Sequence, residues 1–162
     1  VRRSPDDPFL RVRLADAQAA AGQTHAARET ALGALALRPD SAEVRRMARA
    51  LGVALPLDAF RLDGRTVIEA FEASRRRYAT PAMVVLDRSV ERVFPNGATL
   101  TLTHEIVRVQ SKDAIDRWAE VDVPAGAEVL TLRTHKPDGT TREPEEIAGK
   151  ETVSAANVAI GD

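Results

Sequence analysis

The chain contains no cysteine. Disulfides, a thiolate zinc site and a cysteine nucleophile are therefore excluded within these 162 residues. That absence says nothing of compartment, since a cysteine-free domain is as viable in cytosol as in periplasm. Aromatics are scarce, with four Phe, one Trp and one Tyr, which leaves little surface on which bases could stack. An excess of positive charge is missing too: 23 Lys and Arg face 24 Asp and Glu, which argues against binding nucleic acid through bulk charge. No apolar run reaches the roughly 18 residues of a membrane span, so no membrane insertion is expected in this segment, and no signal peptide is visible. The chain opens on Val1, not Met, and closes on "NVAIGD" just after a strand-like stretch. It is expected to be an internal piece of a longer protein.

The residues that are present fit a soluble globular chain, 44% hydrophobic and 29% charged, large enough for one domain or two small ones. The near-neutral balance hides an asymmetry. Residues 1–80 carry 14 basic and 10 acidic side chains, and residues 81–162 carry 9 and 14. Two units are expected: helical first, β-rich second.

From Asp6 to Val53 the sequence is rich in Ala, Leu and Arg, all strong helix formers. Pro8 suits a first helical position, Gly22 a carboxy-terminal cap, and Thr24 or Ser41 an amino-terminal cap. The spacing predicts helices over Pro8–Ala21, Thr24–Leu37 and Ala42–Leu51, with Ala27, Ala31, Ala34 and Leu35 on one face of the second. Helix, Gly turn, helix and Pro resembles a tetratricopeptide repeat. The matching residues are Leu14, Gly22, Ala27, the Ala34-Leu35 pair and Pro39. Arg11, Gln18 and Ala31 stand where the repeat carries large aromatics, and Ala15 stands for its glycine. The resemblance implies a protein- or peptide-binding face at Phe9, Val12 and Asp16. One repeat cannot bury its own core, so it needs neighbouring repeats or must pack on later segments of the chain.

Residues 54–80 form a connector in which Asp63 caps a helix over Gly64–Arg76 with Val67, Ile68, Ala70 and Phe71 as its apolar stripe. Arg75, Arg76 and Arg77 favour a helix end, where cations meet the dipole. A nucleic-acid contact there is the alternative, with no second basic cluster or motif to join it.

Beyond Ala82 the pattern alternates. Two runs flank Pro95-Asn96-Gly97, a hairpin signal. In the second run Leu100, Leu102, His104 and Ile106 face one way, opposite to Thr99, Thr101, Thr103 and Glu105. Further strands are expected at Trp118–Val123 and Glu128–His135, the latter returning through Lys136-Pro137-Asp138-Gly139. The fold class is therefore α+β: a helical hairpin plus helices over 5–53, a linker and helix over 54–80, and part of an antiparallel β-sandwich over 81–162.

Three features in order carry a second resemblance. They are "LDRSVERVFPNGATLTLTHEIVRV", then "EVDVPAGAEVLTLRTHKPDGTTREP", then the closing "IGD". Together they resemble the bacterial domain of unknown function that stands before transglutaminase-like domains. The resemblance implies a non-catalytic supporting region, an envelope location, and a partner in the chain's own downstream catalytic domain, where a papain-like Cys, His and Asp would lie.

Other chemistry is thinly represented. "HEIVR" begins like a zinc-protease helix, but Arg108 stands where the second histidine belongs, and the segment alternates as a strand. His25, His104 and His135 have no metal-ligand spacing. No nucleophile elbow, phosphate loop or dinucleotide fingerprint occurs, so no cofactor is expected. Glu143, Glu145 and Glu146 could serve acid–base chemistry, but beside a Pro turn they read as solvated. "DGTTREPEE" lacks the spacing of a calcium loop. The rival function is a stand-alone hydrolase using His104 or His135 with a carboxylate.

Overall fold

The computed structural model describes residues 4, 6–145 and 152–162. The chain divides into two compact units, one of Val1–Arg61 with Ser89–Thr103, the other of Leu62–Arg88 with His104–Asp162.

The first unit is built on three helices: α1 (Pro8–Ala20), α2 (Thr24–Leu37) and α3 (Ala42–Ala50). Asp7 opens α1, its carboxylate accepting from the Phe9 and Leu10 amides at 2.9 and 3.2 Å. Gly22 closes it in the left-handed region at φ 73°. The Gln23 N–H then reaches the Gln18 carbonyl at 2.8 Å, and the Gly22 N–H reaches Ala19 at 3.0 Å. Gly52 closes α3 in the same way, with Val53 donating to Ala48 and Gly52 to Arg49, both at 2.9 Å. Ser41 caps α3 as expected, whereas Thr24 does not cap α2. The cap position there is Gln23, without a side-chain bond, because the closing motif of α1 already occupies that backbone.

Small residues set the spacing of these helices. Ala15, Ala27, Ala31, Ala34 and Ala48 are completely buried, so backbones approach closely, and Val12, Leu35, Val44 and Met47 fill the remaining space. Val53 and Leu55 extend this core along a segment with alternating burial. At the α2–α3 turn Pro39 is fully buried, and Arg45, itself only 8% exposed, donates to the carbonyls of Pro39 and Asp40 at 3.2 and 2.6 Å. A buried guanidinium is tolerated there because those carbonyls meet its donors.

Strands β1 (Ala82–Val93) and β2 (Thr99–Val109) pair as a ribbon. They join through Pro95-Asn96-Gly97, with Gly97 at φ 81°. The Gly97 N–H donates to Phe94, and the Phe94 N–H to Ala98, both at 2.9 Å. This is the three-residue loop that ends in a glycine bulge. The tip belongs to the helical unit: the Asn96 amide donates to the Leu37 carbonyl at 3.1 Å. The faces of β2 fall as alternation requires, with Leu100, Leu102, His104 and Ile106 half-buried and Thr99, Thr101, Thr103 and Glu105 exposed.

In the second unit α4 spans Gly64–Ala73, three residues shorter than expected. Asp63 caps it by accepting from the Arg65 amide and the Thr66 hydroxyl. It ends early because the Ser74 hydroxyl takes the Phe71 carbonyl at 2.6 Å and Arg75 turns left-handed at φ 54°. Ala70 of the expected stripe is exposed, while Val67, Ile68 and Phe71 are half-buried.

Two expected strands are corrected. Trp118 ends a helix, α5 (Lys112–Trp118), and the strand begins after it as β3 (Glu120–Asp122), pairing antiparallel with β6 (Thr152–Ser154). Of Glu128–His135 only β4 (Thr134–His135) forms a ladder, with β5 (Thr141–Arg142). Residues 128–133 alternate in sequence, but Val129 and Leu130 remain exposed, and among the described residues no strand lies alongside to supply hydrogen bonds. The α+β class and the antiparallel pairing are as expected. Among the described residues the strands make three two-stranded sheets instead of one larger sheet.

Overfilling the helical interface should be costly. Ala31→Leu is expected to lose about 1–3 kcal/mol in urea denaturation, whereas Leu32→Ser, at a side chain already 46% exposed, should change stability little.

Candidate functional site

Two histidines flank the start of α4. The His104 ring on β2 lies beside Gly64: a Cβ added there would sit 3.7 Å from its Nε2. His135, on β4, feels the charges of Arg65, Arg133 and Asp63. Burial first, then the two arginines, hold its pKa below the ordinary 6.5, and Asp63 only partly opposes them. The ring is therefore neutral at neutral pH. Asp63 spends its oxygens on the α4 cap. Among the described residues neither imidazole shares a hydrogen bond or ion pair with a carboxylate, and no group of three acidic or histidine side chains could hold a metal. His25 stands apart, exposed at the start of α2.

The most deeply buried ion pair among the described residues lies one residue beyond His135. Lys136 Nζ meets Asp162 Oδ2 at 2.6 Å, with side-chain exposures of 17% and 4%. The same amine donates to the Asn157 carbonyl, and the Ala159 amide donates to Asp162 at 2.7 Å. Two sequence features thus converge, since Lys136 opens the Pro-Asp-Gly loop and Asp162 follows Gly161. The loop is closed by Gly139 N–H to Lys136 and Lys136 N–H to Thr140, each 2.9 Å, with Gly139 at φ 82°. Asp138 accepts from the Thr140 amide and hydroxyl, which lowers its pKa below the usual carboxylate value. A side chain at Gly161 would press on Pro137, at 3.2 Å from its Cγ. The two charges lie 26 residues apart in the chain, and nothing in their sequence spacing signals the pairing.

The remaining candidates are scattered. Phe9 is 44% exposed and Asp16 is exposed, but Val12 is 5% exposed and sits in the helical core, so it cannot meet a partner from solution. A shallow cleft of about 430 Å³ lies elsewhere on that unit, lined by His25, Arg28, Glu29, Leu32, Gly52 and Val53 among others. Leu32 lies off the buried Ala stripe, the one sequence hint of this surface. Arg28 is engaged there with the Gly52 carbonyl at 2.9 Å.

Of the basic run, Arg75 follows α4 in a left-handed turn and Arg77 lies 3.9 Å from Glu72, which also pairs with Arg108. Glu143 pairs with Arg133 at 2.9 Å across the β4–β5 hairpin, and Glu145 bridges Ser154. Glu146 lies outside the described residues. Comparison of the chain with protein-family models, with curated proteins and with solved structures finds no match.

Lys136→Met leaves the Asp162 carboxylate buried without its cation and should cost about 3 kcal/mol in urea unfolding. Adding Asp162→Asn should recover most of that loss. His135 links stability to pH. Below 6.5 the unfolded chain takes up a proton that the folded ring resists, so its contribution is intact at neutral pH and falls with acidification. Urea midpoints measured from pH 7 to 5 should therefore decline less in His135→Gln than in the parent.

Proposed function

We propose that this chain is the non-catalytic interaction and support region of a larger protein with a transglutaminase-like, papain-like cysteine domain outside these 162 residues. The observation that carries the reading is the Lys136–Asp162 pair. It ties the Pro137-Asp138-Gly139 loop to Gly161-Asp162, the two segments on which the resemblance to the transglutaminase-associated domain chiefly rests. A fold that buries an ion pair to join them gives both segments a structural duty. The helical unit supports the same reading, because Ala15, Ala27, Ala34 and Pro39 are all buried where a tetratricopeptide-like pair would bury them. Phe9, Asp16 and the Leu32 cleft are the surfaces it offers to a protein or peptide partner.

Among the described residues no helix is long and apolar enough to cross a membrane. The partner we favour is the chain's own catalytic domain, followed by a peptide on the helical unit.

The test compares the full-length parent with a version lacking these residues. Peptide hydrolysis or transfer should depend on a downstream cysteine, and removing this region should lower the thermal midpoint of the remainder. The opposite result is peptidase activity in the purified 162-residue chain that disappears in His104→Ala/His135→Ala. That outcome would replace the support role with the hydrolase.

A further inference from the structure

Among the described residues one backbone device occurs three times. A left-handed glycine donates its N–H to a residue whose own N–H returns to the carbonyl just after that glycine. Gly97-Ala98 does this to Phe94, and Gly139-Thr140 does it to Lys136. Gly161-Asp162 does it to Val109, with Gly161 donating to Val109 at 2.8 Å and Val109 donating to Asp162 at 2.9 Å. The glycine φ values are 81°, 82° and 100°. This is the hydrogen-bond pattern of a glycine bulge, which occurs between antiparallel strands. In the first two cases the bulge launches the returning strand of a hairpin. In the third it faces a strand far away in sequence.

The edge it meets can be identified. The Gln110 N–H donates to Pro81 at 2.8 Å, on the β1 side of the ribbon. Successive residues of a strand direct their N–H and C=O groups to opposite sides. Val109, Val107 and Glu105 therefore direct theirs away from β1. Val109 is already taken by the bulge. Among the described residues, β2 has no strand partner other than β1, which leaves Val107 and Glu105 at an open edge.

We infer that Asp162 opens a third strand of this sheet, formed by the segment directly after it in the full-length polypeptide and running antiparallel to β2. The register is fixed by the bulge: the second residue after Asp162 lies opposite Val107, and the fourth opposite Glu105. The direction is fixed by the clamp on Asp162, whose Oδ2 takes both Lys136 Nζ and the Ala159 amide. Side chains on that face grade from the buried Val109 through the half-buried Val107 to the exposed Glu105. An apolar residue is favoured opposite Val107 and a basic or hydroxyl residue opposite Glu105. Hydrogen-bond geometry alone places this strand, whatever the domain beyond it does.

Amide hydrogen exchange tests it, in the 162-residue chain and in a chain lengthened by its own next eight or so residues. At both Val107 and Glu105, exchange should slow at least tenfold in the longer chain. Gly161→Val should abolish that gain, since a Cβ opposes both the φ and the Pro137 contact. The Ile106 amide, on the β1 side, should stay protected in every version and so report an intact ribbon. Loss of Ile106 protection in Gly161→Val shifts the decision to the parent sequences, where it rests on Val107 and Glu105 alone. Unchanged exchange at these two sites in the longer chain overturns the inference. So does protection in the shorter chain that grows with concentration, which assigns the edge to a second copy. A reading frame that closes at Asp162 overturns it outright.

Discussion

Among the described residues, the most deeply buried ion pair of the β-rich unit is Lys136–Asp162. The Asp162 side chain is almost wholly removed from water, and a carboxylate in that position must be neutralised or satisfied on the spot. Lys136 does this from the opening residue of a tight loop, while its ammonium also donates to a second acceptor, the Asn157 carbonyl. The consequence spreads along both segments. The loop sequence Pro137-Asp138-Gly139 is set by the turn that carries the lysine, and Gly161 is set by the closeness of Pro137. Short strands that would be marginal as isolated hairpins gain a tertiary anchor from this contact.

The helical unit works on a different principle. Its core interleaves fully buried alanines with Val, Leu and Met side chains, so close backbone approach and well-terminated helices add to ordinary apolar packing. The ends of α1 and α3 are closed by the same glycine motif, and α2 ends at the buried Pro39, where Arg45 serves the free carbonyls. The hairpin tip joins the same unit by donating an amide to the last carbonyl of α2.

Local signals were legible in the sequence wherever short-range chemistry decides the outcome. Pro8, Gly22, Ser41, Asp63 and the two Pro-x-Gly loops mark element ends correctly, because caps and turns are set by neighbours within a few residues. The alternation in β2 placed His104 on the half-buried face for the same reason. Residues 128–133 show what period-two patterning cannot supply, since a strand needs a partner and none lies beside them among the described residues. α5 was hidden in "KDAIDRW", seven residues too short to show helical periodicity. Val12 was placed on a binding face through its resemblance position, and packing put it in the core. The Lys136–Asp162 pair was illegible because sequence spacing carries no trace of a contact made by tertiary folding.

The two proline loops look interchangeable and are not. Asn96 and Asp138 both accept a hydrogen bond from the amide two residues on, at Ala98 and at Thr140. Only Asn96 must also give one, to the Leu37 carbonyl. A carboxylate in its place would set oxygen against oxygen at the end of α2. Asp138, in contrast, needs acceptors alone, because both of its bonds come from Thr140. Drift between Asn and Asp, a single-nucleotide step and a common chemical ageing reaction before glycine, is therefore a small matter at one tip and an uncoupling event at the other.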